Sequence, residues 1–520
     1  MEEFWSLDGV ELAGRFAGGS ASALDIVDAH IARIEEVDTK LNAVVVKRYD
    51  QARDEARALD ARRARGEAYG PLAGVPVTIK ESLDVAGTPS TFGLPLRAGD
   101  VAKIDDPYVA RIRAAGAIVL GKTNVPQLLL FTETDNPLYG RTNNPWNLER
   151  SPGGSSGGQA AIVAAGGSPW GLGTDIGGSI RVPATSCGIA GFKPTAGRMP
   201  DVGRLHTFAG QTAIVSQVGI LARTVRDTRL ALELAYGNPP DRVPLGDPAA
   251  VDVAALRVGI YENAGALAAS PAVARAVREA GAMLAERGAV VVPFEPPHAE
   301  RAHDLLYGIL SADGGHGAIE ALGSNPRDPR IAQLIMLISM PRPALIALER
   351  AFELTGEFGA ASIVRAVGRR ETHHYWKLVA AQEAFRTLFA HALDTVEGGP
   401  LDIVLGPAYA LPALVHGATT DLGTGGVYAI LYNVLGYPAG IVPITRVREG
   451  EETERADSRD RVERAAKETE IGSAGLPVGV QVIARPWRDR FALTAMRALE
   501  ESARARPDFP RTPVTPEGVA

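Results

Sequence analysis

Between Ser151 and Thr195 the chain sets serines beside glycines in two clusters, Gly153-Gly154-Ser155-Ser156-Gly157-Gly158 and Gly177-Gly178-Ser179, and the stretch holds no histidine. Glycine loses more conformational freedom on folding than any other residue. A chain that concentrates it twice needs backbone N–H groups close to a ligand. Gln159 to Ala165, between the clusters, is apolar and free of Gly and Pro, so a short buried helix is expected just after the first cluster. A serine held by glycines at a helix start suits nucleophilic chemistry or anion binding.

Neither cluster ends in the Gly-Lys-Ser/Thr of a P-loop, and no Gly-x-Gly-x-x-Gly with a downstream acid fits, which excludes the usual nucleotide sites. Gly153 to Gly157 formally satisfies Gly-x-Ser-x-Gly, with Asp402 and His416 available downstream as the rest of an α/β-hydrolase-type esterase triad. That elbow works only when a strand feeds straight into it. Here the ten preceding residues hold two prolines and three asparagines, which no central strand tolerates. A serine without histidine needs another base, and a neutral lysine amine can serve. Its pKa must fall by about three units from about 10.4, roughly 4 kcal/mol of desolvation. Lys80 closes the apolar run Val75-Pro76-Val77-Thr78-Ile79, Lys122 closes a second at Ala117 to Gly121, and Lys193 lies in Gly191-Phe192-Lys193-Pro194. The residues alone do not rank the three, and a lysine at a strand end ordinarily snorkels to solvent.

The elements that must position these groups read as α/β. The chain of 520 residues is 46% hydrophobic and 22% charged, ordinary for a globular protein with a large core. A net charge of −7 offers no basic excess for nucleic acid. The single cysteine, Cys187, excludes an internal disulfide and a multi-cysteine metal cluster, and reads as a packing residue, as does Ser186. The start, Met1-Glu2-Glu3-Phe4-Trp5-Ser6, leads into no apolar leader, and no run of about 20 apolar residues occurs, so a cytoplasmic protein without a membrane span is expected.

Residues 7–68 read as mainly helical, with His30 on the apolar face as a satisfied core residue. Strands are expected at 75–80, 117–124, 212–218, 256–261, 289–294, 401–405 and 478–483, with helices at 107–115, 225–236, 271–287 and 489–504. Residues 133–152 form a polar loop. Residues 296–400 form a variable helical region carrying His298, His303, His316, His373, His374 and His391, none at a metal-site spacing with a nearby carboxylate. Residues 446–470 are densely charged and read as a solvated surface excursion. Strands alternating with helices, without a linker long enough to divide them, predict one domain over 1–520, a mixed central sheet covered by helices on both faces.

The motifs carry a resemblance. Gly-Gly-Ser-Ser-Gly-Gly, Gly-Thr-Asp-Ile-Gly-Gly-Ser-Ile-Arg-Val-Pro and Cys-Gly-Ile-Ala-Gly-Phe-Lys-Pro-Thr resemble, in order and spacing, the core of the amidase signature hydrolases. Gly-Val-Pro-Val-Thr-Ile-Lys-Glu resembles the family's lysine motif, with Glu81 where aspartate is common, and Ile220 replaces a usual proline further on. The likeness covers 70–235 as the core signature and extends over 400–500. There Leu-Tyr-Asn-Val-Leu-Gly-Tyr-Pro and Leu-Pro-Val-Gly-Val-Gln-Val-Ile-Ala-Arg-Pro-Trp are most similar to the fatty-acid amide hydrolase branch.

The resemblance implies the amidase signature fold and a role for each matching position. Ser179 would be the nucleophile, Ser155 a bridging serine in a cis-peptide geometry, and Lys80 the base. The N–H groups of Ile176, Gly177, Gly178 and Ser179 would form an oxyanion hole, and Asp175 and Arg181 would brace the loop. Leu128, Leu129, Leu130, Phe131, Leu431, Tyr432, Ile483 and Trp487 correspond to an acyl channel. Ser156 is expected to cap the following helix. The implied activity is hydrolysis of linear, hydrophobic amides, with esters, anilides and carbamates as additional substrates, and no cofactor or metal. The implied partners are the small-molecule amide and, at most, a second copy of the chain. The alternatives are a catalytically silent binding module and a glutamine-hydrolysing subunit of a tRNA-dependent amidotransferase.

Overall fold

A computed structural model describes residues 3–201, 205, 207–265 and 267–518; Met1 and Glu2 lie outside the described residues. Eleven strands join into one sheet: β1 Val44–Lys47, β2 Pro76–Lys80, β3 Ile118–Thr123, β4 Trp170–Asp175, β5 Ala190–Lys193, β6 Gln217–Ala222, β7 Arg257–Ile260, β8 Val290–Pro293, β9 Ile403–Gly406, β10 Ala439–Arg446 and β11 Pro477–Ala484. Their order is β1-β3-β2-β4-β6-β5-β10-β11-β9-β7-β8. Strands β3, β2 and β4 run parallel, as do β9, β7 and β8, and the antiparallel strands between them make the sheet mixed.

Helices cover both faces, as the register of one pair shows. Gly440 lies opposite Phe192 and a Cβ on it would meet Met496 of helix Asp489–Arg504. Its neighbour Ile441 lies opposite Gly191, where a Cβ would meet Ala184 of helix Arg181–Cys187. Successive strand residues point to opposite faces, so the two helices sandwich the sheet. Every residue of β2, β4 and β5 is buried.

That burial explains three of the four strands missing from the expected pattern, β4, β5 and β10; the fourth, β1, is a partly buried edge strand inside the stretch read as mainly helical. A strand covered on both faces shows no polar alternation, and glycine lowers its apparent propensity. In β4 the glycines are obligatory. A Cβ on Gly171 would stand 2.1 Å from the Thr78 carbonyl oxygen, and one on Gly173 would stand 2.6 Å from Leu221. Gly171→Ala is therefore expected to destabilise the fold by about 3 kcal/mol or more, read as a lowered denaturation midpoint.

Two further expectations change. The strand expected at 212–218 begins at Gln217, because the Gln211 side chain takes up both the N–H and the C=O of Ile214 and leaves no ladder there. Residues 446–470 are more than a solvated excursion. Helix Arg461–Glu470 buries Val462 and Ala466, and Arg455 pairs with Glu463 and the buried Glu470 at 2.8 and 2.7 Å. The 296–400 region is helical as expected, built from helices at 300–310, 316–322, 329–338, 342–355, 358–366 and 372–394. His30 is buried with Nδ1 on the Ile26 carbonyl, and burial pushes it down to about 3. Among the described residues no single helix is long and apolar enough to cross a membrane.

Candidate active site

Strand β2 ends at Lys80 in the interior of the sheet, between β3 and β4, so its amine cannot snorkel out. Lys80 Nζ lies 2.7 Å from Ser155 Oγ and 2.8 Å from Thr174 Oγ1, with the Thr174 carbonyl at 3.5 Å. Burial lowers its pKa to about 7, against the opposing pull of Asp201, Asp175 and Glu81. Glu81 itself holds the next loop, accepting from the Thr91 hydroxyl and the Phe92 N–H.

Geometry ranks the three lysines. Lys193 is also buried and lowered to about 7, first by burial and then by Arg181, but its amine donates to the carbonyls of Tyr437 and Pro194. Lys122 donates to Ser90, which in turn donates to Asp84. Lys80 alone of the three faces a serine of the glycine clusters.

Ser155 follows a cis peptide bond after Gly154 and is buried. The segment Phe131–Thr134 presses against this turn. A Cβ on Gly154 would lie 2.6 Å from the Phe131 oxygen and 2.7 Å from the Glu133 oxygen, and the Thr134 hydroxyl donates to the Gly153 carbonyl. The Glu133 carboxylate in turn accepts from the N–H groups of Gly417 and Thr419 and meets Arg330 at 3.1 Å, tying the 296–400 region to the serine turn. Ser156 occupies the N-cap of helix Gly157–Ala164 without capping it. Its hydroxyl donates instead to the Thr174 carbonyl at 3.4 Å, because that strand end passes beside it.

Ser179 sits half-exposed on the turn after β4, and its carbonyl accepts from the Ser156 N–H at 3.2 Å. Asp175 organises this turn, receiving the Gly178 N–H at 2.8 Å, the Ile180 N–H at 3.1 Å and both arms of Arg181 at 3.0 Å. Burial by itself would raise the Asp175 carboxyl, and Arg181 overrides it and holds it well below the usual carboxylate range. Gly178 has φ 108°, and a Cβ there would stand 2.9 Å from that of Ala429. The Gly178 N–H is thus committed to Asp175 and differs from the oxyanion role expected of it. Among the described residues the N–H groups of Ile176, Gly177 and Ser179 have no such acceptor. The lysine limb of the site is hydrogen-bonded, whereas the Ser155 and Ser179 hydroxyls are not bonded to each other.

Asn433 and Gln481 complete this support, and residue type and spacing alone do not single them out. Asn433 Nδ2 donates to Asp175 at 2.8 Å, and Arg181 donates to Asn433 and to Gln481. Both lie inside the two C-terminal segments that carry the resemblance, which is the available signal. Arg181→Met is expected to cost about 3–5 kcal/mol, because Asp175 would be left buried and unpaired, and urea unfolding measures it.

The expected acyl-channel residues separate. Leu128 packs with Leu94, Ile331 and Ile335, with Leu130 and Phe131 against that cluster, and Leu129 is half-buried. Leu431, Tyr432 and Ile483 lie deep in a second cluster. Trp487 is 43% exposed beneath the Arg198 guanidinium. In front of the nucleophile turn stand Leu306 and Ile430, 3.7 and 4.0 Å from a Cβ built on Gly177. Leu306 belongs to the region of poorest likeness, so nothing in the motifs marks it.

The esterase partners do not converge. His416 contacts the Leu148 carbonyl, and Asp402 receives the Arg257 N–H. Cys187 is buried, which pushes its thiol well up. Of the histidines of the 296–400 region, for which no metal-site spacing with a nearby carboxylate is expected, His373 and His374 stand beside Glu371, all three exposed, with one donor atom each within 4.8 Å of one another.

The amidase family model matches residues 25–493. Over 513 residues the chain is 34% identical to fatty-acid amide hydrolase 1 of Sus scrofa, covering 94% of this chain and 84% of that one. A glutamyl-tRNA(Gln) amidotransferase subunit of Roseiflexus castenholzii is 40% identical over 321 residues, covering 60% of this chain and 64% of that protein. The solved structure of a 6-aminohexanoate cyclic dimer hydrolase complexed with substrate superposes with a TM-score of 0.75 at 26% identity, covering 98% of this chain and 99% of that one. The chain belongs to the amidase signature family, and it is an amide hydrolase of that family's fold.

Proposed function

We propose that this enzyme cleaves linear, hydrophobic carboxylic acid amides through an acyl-enzyme on Ser179, using Lys80 and Ser155 as a proton relay. The neutral Lys80 amine accepts the Ser155 hydroxyl proton while Ser155 accepts that of Ser179. The freed Ser179 oxygen bonds to the amide carbonyl carbon, and the carbonyl oxygen becomes an oxyanion facing the N–H groups of Ile176, Gly177 and Ser179. The proton then returns along the chain to the amide nitrogen, the C–N bond breaks and the amine leaves. Water attacks the ester by the same route, releasing the carboxylic acid and restoring Ser179. Preorganised donors of this kind each contribute about 100-fold or more to the rate.

The observation that carries the reading is the 2.7 Å contact between Lys80 Nζ and Ser155 Oγ in a site dry enough to lower the amine to about 7. Catalytic hydrogen bonds often tighten only when substrate binds, and the Ser155–Ser179 contact is the one that must close. Leu306 and Ile430 favour an apolar acyl group beside the nucleophile. The tighter but shorter match to an amidotransferase supports a second reading, ammonia release from glutamine. Hydrolysis of amides of graded acyl length, of a cyclic amide and of glutamine, with Ser179→Ala as blank, tests both. A rate rising with acyl length supports the proposal; turnover confined to glutamine or to the cyclic amide overturns it.

A further inference from the structure

We propose that Glu371, His373 and His374 form a binding site for a divalent transition-metal ion, apart from the catalytic centre. Helix Thr372–Asp394 begins just after Glu371, whose backbone is still extended. Glu371 Oε2 lies 3.3 Å from His373 Nδ1, and the two imidazole rings stand 3.8 Å apart at 39°. One carboxylate oxygen and two imidazole nitrogens make a borderline-soft donor set, which selects zinc, copper or nickel over magnesium or calcium.

The donors lie within 4.8 Å of one another, whereas around tetrahedral zinc they are about 3.4 Å apart. Closing that gap needs only side-chain rotation, and all three residues are exposed, so no packing opposes it. The positive end of the helix dipole disfavours a cation here by about 0.3–1 kcal/mol. The Glu371 carboxylate counters it with a full negative charge at closer range. Three protein donors leave a four-coordinate ion one position for water. The helix continues directly into Tyr375 and Trp376, which with Thr212, Ala213 and Val379 line an open cavity of about 570 Å³. Trp376 is 68% exposed and lies two residues from His374, so it reports on an ion held there.

The test titrates Zn2+ into the whole protein by calorimetry, and Cu2+ while tryptophan fluorescence is read. A single Zn2+ site is expected, weakened at least tenfold in His373→Ala/His374→Ala and in Glu371→Gln. Cu2+ is expected to quench a fluorescence component that Trp376→Phe removes. Amide hydrolysis is expected to be unchanged in these variants, which separates the site from the catalytic one. Equal Zn2+ affinity in the double variant overturns the proposal, as does Cu2+ quenching that survives Trp376→Phe.

Discussion

Ser179→Ala is expected to lower kcat by about 10⁴-fold or more while leaving the fold intact, since removing a nucleophile leaves only positioning and oxyanion stabilisation behind. The side chain is half-exposed on a turn that Asp175 holds through main-chain N–H groups, so losing one hydroxyl removes no support. An ester substrate should show a burst of the first product in the wild type, from accumulated acyl-enzyme, and none in the variant. Mass spectrometry after a fluorophosphonate should place the label on Ser179. Full turnover by the variant would assign the nucleophile elsewhere, with Ser155 the next hydroxyl to examine.

Lys80→Met should move activity and stability in opposite directions. The proposed base is the neutral amine, so kcat/KM should rise about tenfold per pH unit up to about 7 and level off above it. Without the amine, the rate should fall by about 10⁴-fold and lose this limb. For stability, the folded pKa lies near 7 and the free value near 10.5, so between those values the unfolded chain binds more protons. Stability attributable to Lys80 therefore rises with pH across that window, and below it the full penalty stands at about 5 kcal/mol. Methionine removes that penalty, offset by about 1–3 kcal/mol for Ser155 and Thr174 left without the amine. A higher melting temperature at pH 6 is the expected result. A lower one, with activity retained, would remove Lys80 from the mechanism.

Helices Val225–Tyr236 and Asp489–Arg504 are legible in the sequence because each has one wet face, and the periodicity matches their bounds; of the two edge strands, β8 is legible and β1 is not. Strand β4 is not legible. It is buried on both faces and its glycines answer to Thr78, Gln159 and Leu221, residues distant in sequence. The order and identity of the site's serines and lysines are readable from their motifs, whereas three apolar lysine settings look alike. The histidine–carboxylate cluster at 371–374 escapes a reading by spacing because donor separation depends on how a helix start folds its side chains.

By itself the sequence determined the mixed α/β class, the family and the residues able to do chemistry, because these follow from local residue type, spacing and order. Only the tertiary structure decided which lysine meets Ser155, that Gly178 turns its N–H to Asp175, and that Asn433, Gln481, Leu306 and Ile430 belong to the site. The reason is physical: a side chain's pKa and its partners are set by burial and by how the folded chain brings segments together, 75 residues apart for Lys80 and Ser155 and 252 for Arg181 and Asn433, which no local pattern encodes.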